Sequence, residues 1–275
     1  GFVSATGTDV EEPTTGRRVC VHYQVGCGSC SHCVRGFEQF CPTGKMIGNG
    51  RPGGFAEQIV VPARNAIPVP DSVPLEHAAV MMCSSATSLH ALRKGRISPG
   101  ESVAVFGVGG LGMSAVQLAL LEGASKVFAV DPNPAKRGQA AGYGAEPVDS
   151  EQDPVAHLQK GGGVNIAIDL VGSATVMGQC LDALAPMGRA VAVGLTPDAF
   201  PVGPYTDLVT GESELIGASD HLASEIRELL DHAAAGRLTF DDIVADRIPL
   251  EPGAVNSVLD ELEGFGGSVR TVIKP

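Results

Sequence analysis

Val103-Ala104-Val105-Phe106-Gly107-Val108-Gly109-Gly110-Leu111-Gly112 is the stretch on which the fold of this 275-residue chain turns. Four apolar residues read as a buried strand, the glycines follow in the order Gly-x-Gly-x-x-Gly, and residues 113–121 read as a helix. The glycines alone are a weak signal, but between a strand and a helix they point strongly to a dinucleotide site. Gly107 allows the tight turn, Gly109 lets the backbone approach a pyrophosphate, and Gly112 lets the helix pack closely on the strand. The phosphates then meet the amides that open the helix, around Gly110 and Leu111, where the helix dipole is positive. The bland alternative, a tight turn in an α/β core, is disfavoured by that setting.

Outward from this turn, residues 85–218 alternate short apolar runs with longer Ala- and Leu-rich segments, the pattern of βαβ units around a parallel sheet. Strands are expected at 103–106, 127–130, 147–148, 166–169, 190–193 and 215–217. Six such strands match a doubly wound Rossmann fold. The second ends on Asp131, nineteen residues beyond Gly112, where this fold sets the carboxylate that receives the adenosine ribose hydroxyls and repels a 2′-phosphate. NAD is favoured over NADP, with Lys136 and Arg137 nearby keeping the second open. Further on, helices over 223–235, stopped by Gly236, and 254–263 flank a polar stretch, and a last strand over 269–273 is expected to pack back on the first domain.

Upstream, residues 1–84 are rich in Gly, Pro and short β-branched runs, 17–21 and 56–61 among them, and read as mostly β. Within them Cys27-Gly28-Ser29-Cys30-Ser31-His32-Cys33 and Cys41 crowd four cysteines into fifteen residues. Thiolates at that spacing suit a tetrahedral Zn²⁺, and four protein ligands close the shell to water and substrate, which makes the site structural. Disulfides and an iron–sulfur cluster are the competing readings. His32 is expected to be exposed, and Cys20 and Cys180 to be small buried residues.

A hydrophobic content of 44% supports one or two ordinary cores. The net charge of −12 disfavours a nucleic-acid or anionic-membrane partner, which calls for clustered Lys and Arg. No apolar stretch reaches the ~18 residues of a membrane span and no signal-peptide layout opens the chain, so a cytoplasmic address is expected.

With a cysteine lobe, a glycine turn and an acidic strand end in this order, the chain resembles the zinc-containing medium-chain dehydrogenases, the alcohol, sorbitol and threonine dehydrogenase group. Gly54-Phe55-Ala56-Glu57, Cys83 followed by Thr87, and Arg270-Thr271-Val272-Ile273 look like that family's signposts. The resemblance implies a GroES-like, mostly β catalytic domain over 1–84 and 219–275, incomplete at its N-terminus, and a Rossmann domain over 85–218. It implies that Cys27, Cys30, Cys33 and Cys41 hold the structural zinc and that Cys83 is one of three protein ligands of a catalytic zinc. Thr87 would lie against the nicotinamide, Val193, Leu195 and Ala218 would meet its carboxamide through backbone groups, Asp131 and Lys136 the ribose, and Arg270 the pyrophosphate. The implied activity is hydride transfer between an alcohol or polyol and NAD, in a homodimer or homotetramer.

One departure stands out. The family's other catalytic ligands, a Cys and a His, come from a segment upstream of Gly1, and Gly1-Phe2-Val3 looks like the second half of its Gly-His-Glu-x-x-Gly-x-Val motif. A lone thiolate does not hold a catalytic zinc, which needs about three protein ligands. His22 and His90 stand at no family ligand position. Two other functions compete: a zinc-free, NADPH-dependent quinone or enoyl reductase relative, and a catalytically inactive NAD-binding protein. Asp169 and Gly172 read either as adenine-edge residues or as an ordinary strand-end turn, and Glu212, Glu214 and Asp220 as a solvated acidic face.

Overall fold

The computed structural model describes residues 1–263 and 269–275. The chain divides into two compact units, Gly1–Ala86 with Asp220–Pro275, and Thr87–Ser219. Among the described residues no helix is long and apolar enough to cross a membrane.

In the first unit Phe2 bridges to Arg18, and then come β1 (Val19–Val21), β2 (Gln24–Val25), a one-turn helix α1 (Ser31–Val34), β3 (Lys45–Ile47), β4 (Gly50–Arg51) and β5 (Ala66–Pro68). β1 pairs antiparallel with β5, and β2, β3 and β4 form a second small sheet. Strands of two or three residues hold little by themselves, and side chains fasten the loops instead. The Arg18 guanidinium donates to the carbonyls of Pro70 at 3.0 Å and Asp71 at 2.7 Å, and to that of Val73.

Two expectations fail here. The run 56–61 joins no ladder among the described residues, and Val60 is 89% exposed; β-branched residues make a strand only where a neighbour offers hydrogen-bond partners. The stretch after Pro74, read as part of a mostly β segment, is helical instead. It forms α2 (Leu75–Val80), one π-helical turn (Met81–Ser85) and α3 (Ala86–Lys94). Ala78, Met81, Ser85, Leu89 and Leu92 are all buried, and their spacing of three or four is a helical period. The Gly- and Pro-rich surroundings masked it.

The second unit contains β6 (Ser102–Phe106), α4 (Gly110–Leu121), β7 (Lys126–Asp131), α5 (Pro134–Gly142), β8 (Glu146–Asp149), α6 (Pro154–Gln159), β9 (Val164–Asp169), α7 (Ala174–Asp182), β10 (Leu184–Ala192), α8 (Tyr205–Thr210) and β11 (Glu214–Gly217). All six strands are parallel, in the order β11-β10-β9-β6-β7-β8, so each expected strand is present in a doubly wound α/β sheet. Val103, Val105, Ile166 and Ile168 are fully buried at its centre, each stabilising the fold by about 1.5–3 kcal/mol. Local chemistry starts the helices: Asn133 accepts the Ala135 amide at 2.9 Å ahead of Pro134, and Ser173 accepts that of Val176 at 3.2 Å.

Two boundaries differ from expectation. α4 starts at Gly110 rather than at residue 113, because close packing at the turn outweighs glycine's poor helix propensity. β10 ends at Ala192, which leaves Val193 beyond the strand with its N–H on the Asp169 carbonyl at 3.1 Å.

After Ser219 the chain forms α9 (Ala223–Ala234), ended by Gly236 at φ +69°, then β12 (Val244–Pro249), α10 (Pro252–Glu263) and β13 (Arg270–Lys274). β12, part of the stretch read as merely polar, pairs parallel with β13.

Candidate cofactor turn and metal centre

The order of strands reverses between β6 and β9, and in open parallel sheets ligands bind where such a reversal opens a crevice. The glycine turn sits there. Gly107 has φ +90°, and a Cβ on it would stand 2.7 Å from Val171 in the loop after β9. On Gly112 a Cβ would run into the Gly107 carbonyl oxygen, whereas at Gly109 nothing lies within 4 Å. Backbone therefore packs on backbone below the turn, and open space lies above it. Gly109 begins α4 with no side chain capping it, so the first amides of the helix keep their donors for a ligand. Gly110 is buried and Leu111 half-buried, its carbonyl accepting from the Ser88 hydroxyl at 2.8 Å. These features fit a dinucleotide diphosphate.

Asp131 is buried beneath the turn, its two carboxylate oxygens accepting the amides of Val108 at 3.0 Å and Asn133 at 2.8 Å. Lys136 is half-buried in the first turn of α5. Arg137 is committed elsewhere: it donates to the carbonyls of Asp131 at 2.6 Å and Pro132 at 2.8 Å and to Asp149 at 3.1 Å. Asp169 uses one oxygen to take the amides of Val171 and Gly172, each at 2.9 Å, which is the turn role. Gly172, at φ +79°, would bring a Cβ within 2.6 Å of the Leu195 nitrogen, so the loops after β9 and β10 touch through their backbones. That contact holds Val193 and the fully exposed Leu195 beside the strand ends, and the Ala218 amide donates to the Ala192 carbonyl at 2.9 Å. Thr87 is buried in α3.

In the first unit the sulfurs of Cys27, Cys30, Cys33 and Cys41 all lie within 4.8 Å of one another, with Cys27 and Cys33 at 4.0 Å. A tetrahedral zinc with bonds of about 2.3 Å sets its sulfurs about 3.8 Å apart. The space suits one metal atom, too small for a multi-iron core, and no disulfide links the four. Amides prepare the thiolates: Cys27 accepts from Ser29 at 3.4 Å and Cys30 at 3.3 Å, and Cys41 accepts from Cys27 at 3.2 Å. Those amides pull the Cys27 thiol down to about 5, while burial and then the neighbouring thiols push Cys33 up to about 11. Four sulfurs this close ionise together only around a cation. Gly26 is needed beside them, since a Cβ there would stand 2.7 Å from the Cys33 sulfur. His32 is half-buried against Phe40 rather than exposed, with ring centroids 6.2 Å apart, and takes no part in the cluster.

Cys83 is exposed on the π-helical turn, although Met81, Met82, Ser84 and Ser85 around it are buried. Such turns widen a helix and recur at functional sites. The thiol opens into a pocket of about 520 Å³ lined by Phe55, Val80, Ile248, Leu259 and Arg270 among others. Burial lowers the basicity of Arg270, an effect opposed by the Cys83 thiol. Among the described residues the four-cysteine cluster is the only metal-ligating group, and residues 264–268 contribute no His, Cys, Asp or Glu. Cys83 stands outside that cluster.

Asp220 corrects the reading of a solvated acidic face. Its carboxylate accepts from the Tyr23 hydroxyl at 2.5 Å and from Gln24, and His221 Nδ1 stands 3.0 Å away. Burial works to raise its pKa, but His221, Tyr23 and Gln24 hold it down at about 2. Partners nearly two hundred positions away left no local signal for this residue. Glu214 does lie at the surface, paired with Arg96.

Residues 110–235 match the zinc-binding dehydrogenase family, and residues 1–71 match the alcohol dehydrogenase GroES-like domain. Over its full length the chain is 31% identical to an alcohol dehydrogenase of Geobacillus stearothermophilus, spanning 80% of that protein. It is 33% identical over 86% of its length to an alcohol dehydrogenase of Moraxella sp. (strain TAE123), spanning 71% of it. The structure of alcohol dehydrogenase TADH from Thermus sp. ATN1 superposes with a TM-score of 0.92 at 28% identity, covering the whole chain and 82% of that protein. Taken with the glycine turn and the four-thiol cluster, these likenesses establish that the chain belongs to the zinc-binding alcohol dehydrogenase family and is an oxidoreductase.

Proposed function

We propose that this oxidoreductase transfers hydride between an alcohol and NAD in preference to NADP, with the glycine turn after β6 as its diphosphate site. When bound, the nicotinamide ring supplies the redox chemistry by accepting the hydride. The chain binds and orients: the uncapped start of α4 receives the diphosphate, joined by Arg270, while Thr87 packs on the nicotinamide and the backbone of Val193, Leu195 and Ala218 meets its carboxamide. Each Asp131 oxygen already holds one amide and keeps a lone pair for a ribose hydroxyl, with Lys136 beside it. A 2′-phosphate would face that carboxylate, and Arg137 is tied down and cannot offset it. Cys83 enters this reading only as the thiol that the family resemblance assigns to a catalytic metal, and a lone thiolate does not hold one. The four-cysteine cluster would hold a structural zinc, and the closeness of its sulfurs runs against a zinc-free reductase.

Two further assignments rest on the same reading. Free thiols arranged for metal suit a reducing, cytoplasmic setting, and β11, which among the described residues pairs only with β10 and has Leu215 40% exposed, suits a homodimer or homotetramer built by extending the sheet.

Asp131 beneath the open glycine turn carries the proposal, and its replacement tests it. Asp131→Asn removes the charge and leaves one of the two amides without its acceptor. NADH affinity should fall ~10-fold while NADPH affinity holds or rises, as read by fluorescence titration, since tenfold corresponds to about 1.4 kcal/mol. An unchanged NADH to NADPH ratio would remove Asp131 from cofactor selection.

A further inference from the structure

The residues that flank the four cysteines hold the chain where it re-enters the first unit. Glu38, between Cys33 and Cys41, accepts the amide of Ala223, the first residue of α9, at 2.7 Å, and the same oxygen stands 3.2 Å from His22 Nε2. Tyr23, just before β2, and Gln24 within it each donate to one oxygen of Asp220. Residues 23, 24 and 38, just before and within the cysteine run, thus grip residues 220–223. Leu222 offers α9 no capping side chain; Glu225 of the first turn takes the Leu222 amide at 2.7 Å, and the lobe's Glu38 adds a second carboxylate at the Ala223 amide. Asp220 itself has φ +61°, a backbone state that a non-glycine residue keeps only where its surroundings over-determine it. Grip and strain coincide two residues beyond Ala218.

We propose that Glu38 and Asp220 are positioning residues for the nicotinamide end of the cofactor, fixing the segment that continues from Ala218 and with it the backbone that meets the carboxamide. The proposal rests on the cofactor reading above and gives the cysteine lobe a part in catalysis beyond stability. The lobe acts through the chain: it sets where residue 220 begins, and two peptide links carry that placement to Ala218. Neither side chain touches the reacting atoms. The adenosine half of the cofactor, held at Asp131 and the glycine turn, should not sense the change.

That asymmetry supplies the test. Glu38→Ala and Tyr23→Phe are made in the full chain, zinc content is checked, and NADH and ADP-ribose affinities are measured by calorimetry. NADH affinity should fall ~10-fold, a usual size for coupling between sites, with ADP-ribose unchanged and zinc retained. Tyr23→Phe, which keeps the ring against His221 and removes only the bond to Asp220, carries the test if Glu38→Ala loses zinc. Unaltered NADH affinity in both variants overturns the proposal. An equal fall for both ligands also overturns it, because general loosening would then explain the effect. A wild-type chain that binds no ADP-ribose overturns the cofactor reading itself and this proposal with it.

Discussion

Cys41→Ser is expected to strip the lobe of zinc and to unfold the region around residues 22–48 while the six-stranded sheet stays intact. Structural zinc contributes on the order of 10 kcal/mol to folding in small metal-bound domains, and short strands and a few side-chain hydrogen bonds add less to this lobe. None of its four cysteines is buried, and β2, β3 and β4 are two or three residues long. The sheet of the second unit has its own apolar core, with Phe106, Ala167, Met177 and Cys180 packed together, so it should keep slow hydrogen exchange. Serine nearly matches cysteine in size but does not supply a thiolate, so the loss reports the metal bond rather than packing. Gly26→Ala should give a milder version, because its Cβ would crowd the Cys33 sulfur at 2.7 Å. Zinc per chain and exchange rates measured together check both. Full zinc and full protection in Cys41→Ser would remove that thiol from the site.

Gly112→Ala should abolish dinucleotide binding for a different reason. The new Cβ would collide with the Gly107 carbonyl oxygen, which is backbone and does not swing aside, so α4 must move away from β6. Overpacking of this kind costs about 1–3 kcal/mol, and the displaced amides no longer meet the diphosphate. NADH affinity is expected to drop at least ~100-fold, about 2.7 kcal/mol, with a lowered Tm. Gly109→Ala provides the contrast, since its Cβ would meet nothing within 4 Å. That variant should keep the wild-type Tm and still bind NADH weakly, because the added methyl fills the space meant for phosphate. Equal affinities in Gly109→Ala and wild type would argue that the open space above the turn is not the ligand site.

The glycine turn and the cysteine lobe were legible because each is a local pattern with one physical solution. Gly107, Gly109 and Gly112 fall at three consecutive demands of a single strand–turn–helix, and four thiols within fifteen residues leave few alternatives to a metal. The six strands were legible because strands buried on both faces are nearly continuous apolar runs. What stayed hidden depends on distant partners. Asp220 looked like a surface acid because nothing near it announces Tyr23 or Gln24. The run 56–61 has strand composition but no described neighbour to pair with. The π-helical turn at Met81–Ser85 arises from packing, and composition has no mark for it, so nothing in the sequence shows that Cys83 stands exposed among buried neighbours. Arg137 was read as a candidate for a 2′-phosphate until its donors were found committed to Asp131, Pro132 and Asp149.

The most direct measurement is a crystal structure of this chain grown with NADH. The diphosphate should lie over Gly109 and accept from the amides that open α4, with the adenosine ribose hydroxyls on Asp131. Density for the cofactor at any other place, or a glycine turn left bare at saturating NADH, would contradict the assignment of that turn as the cofactor site.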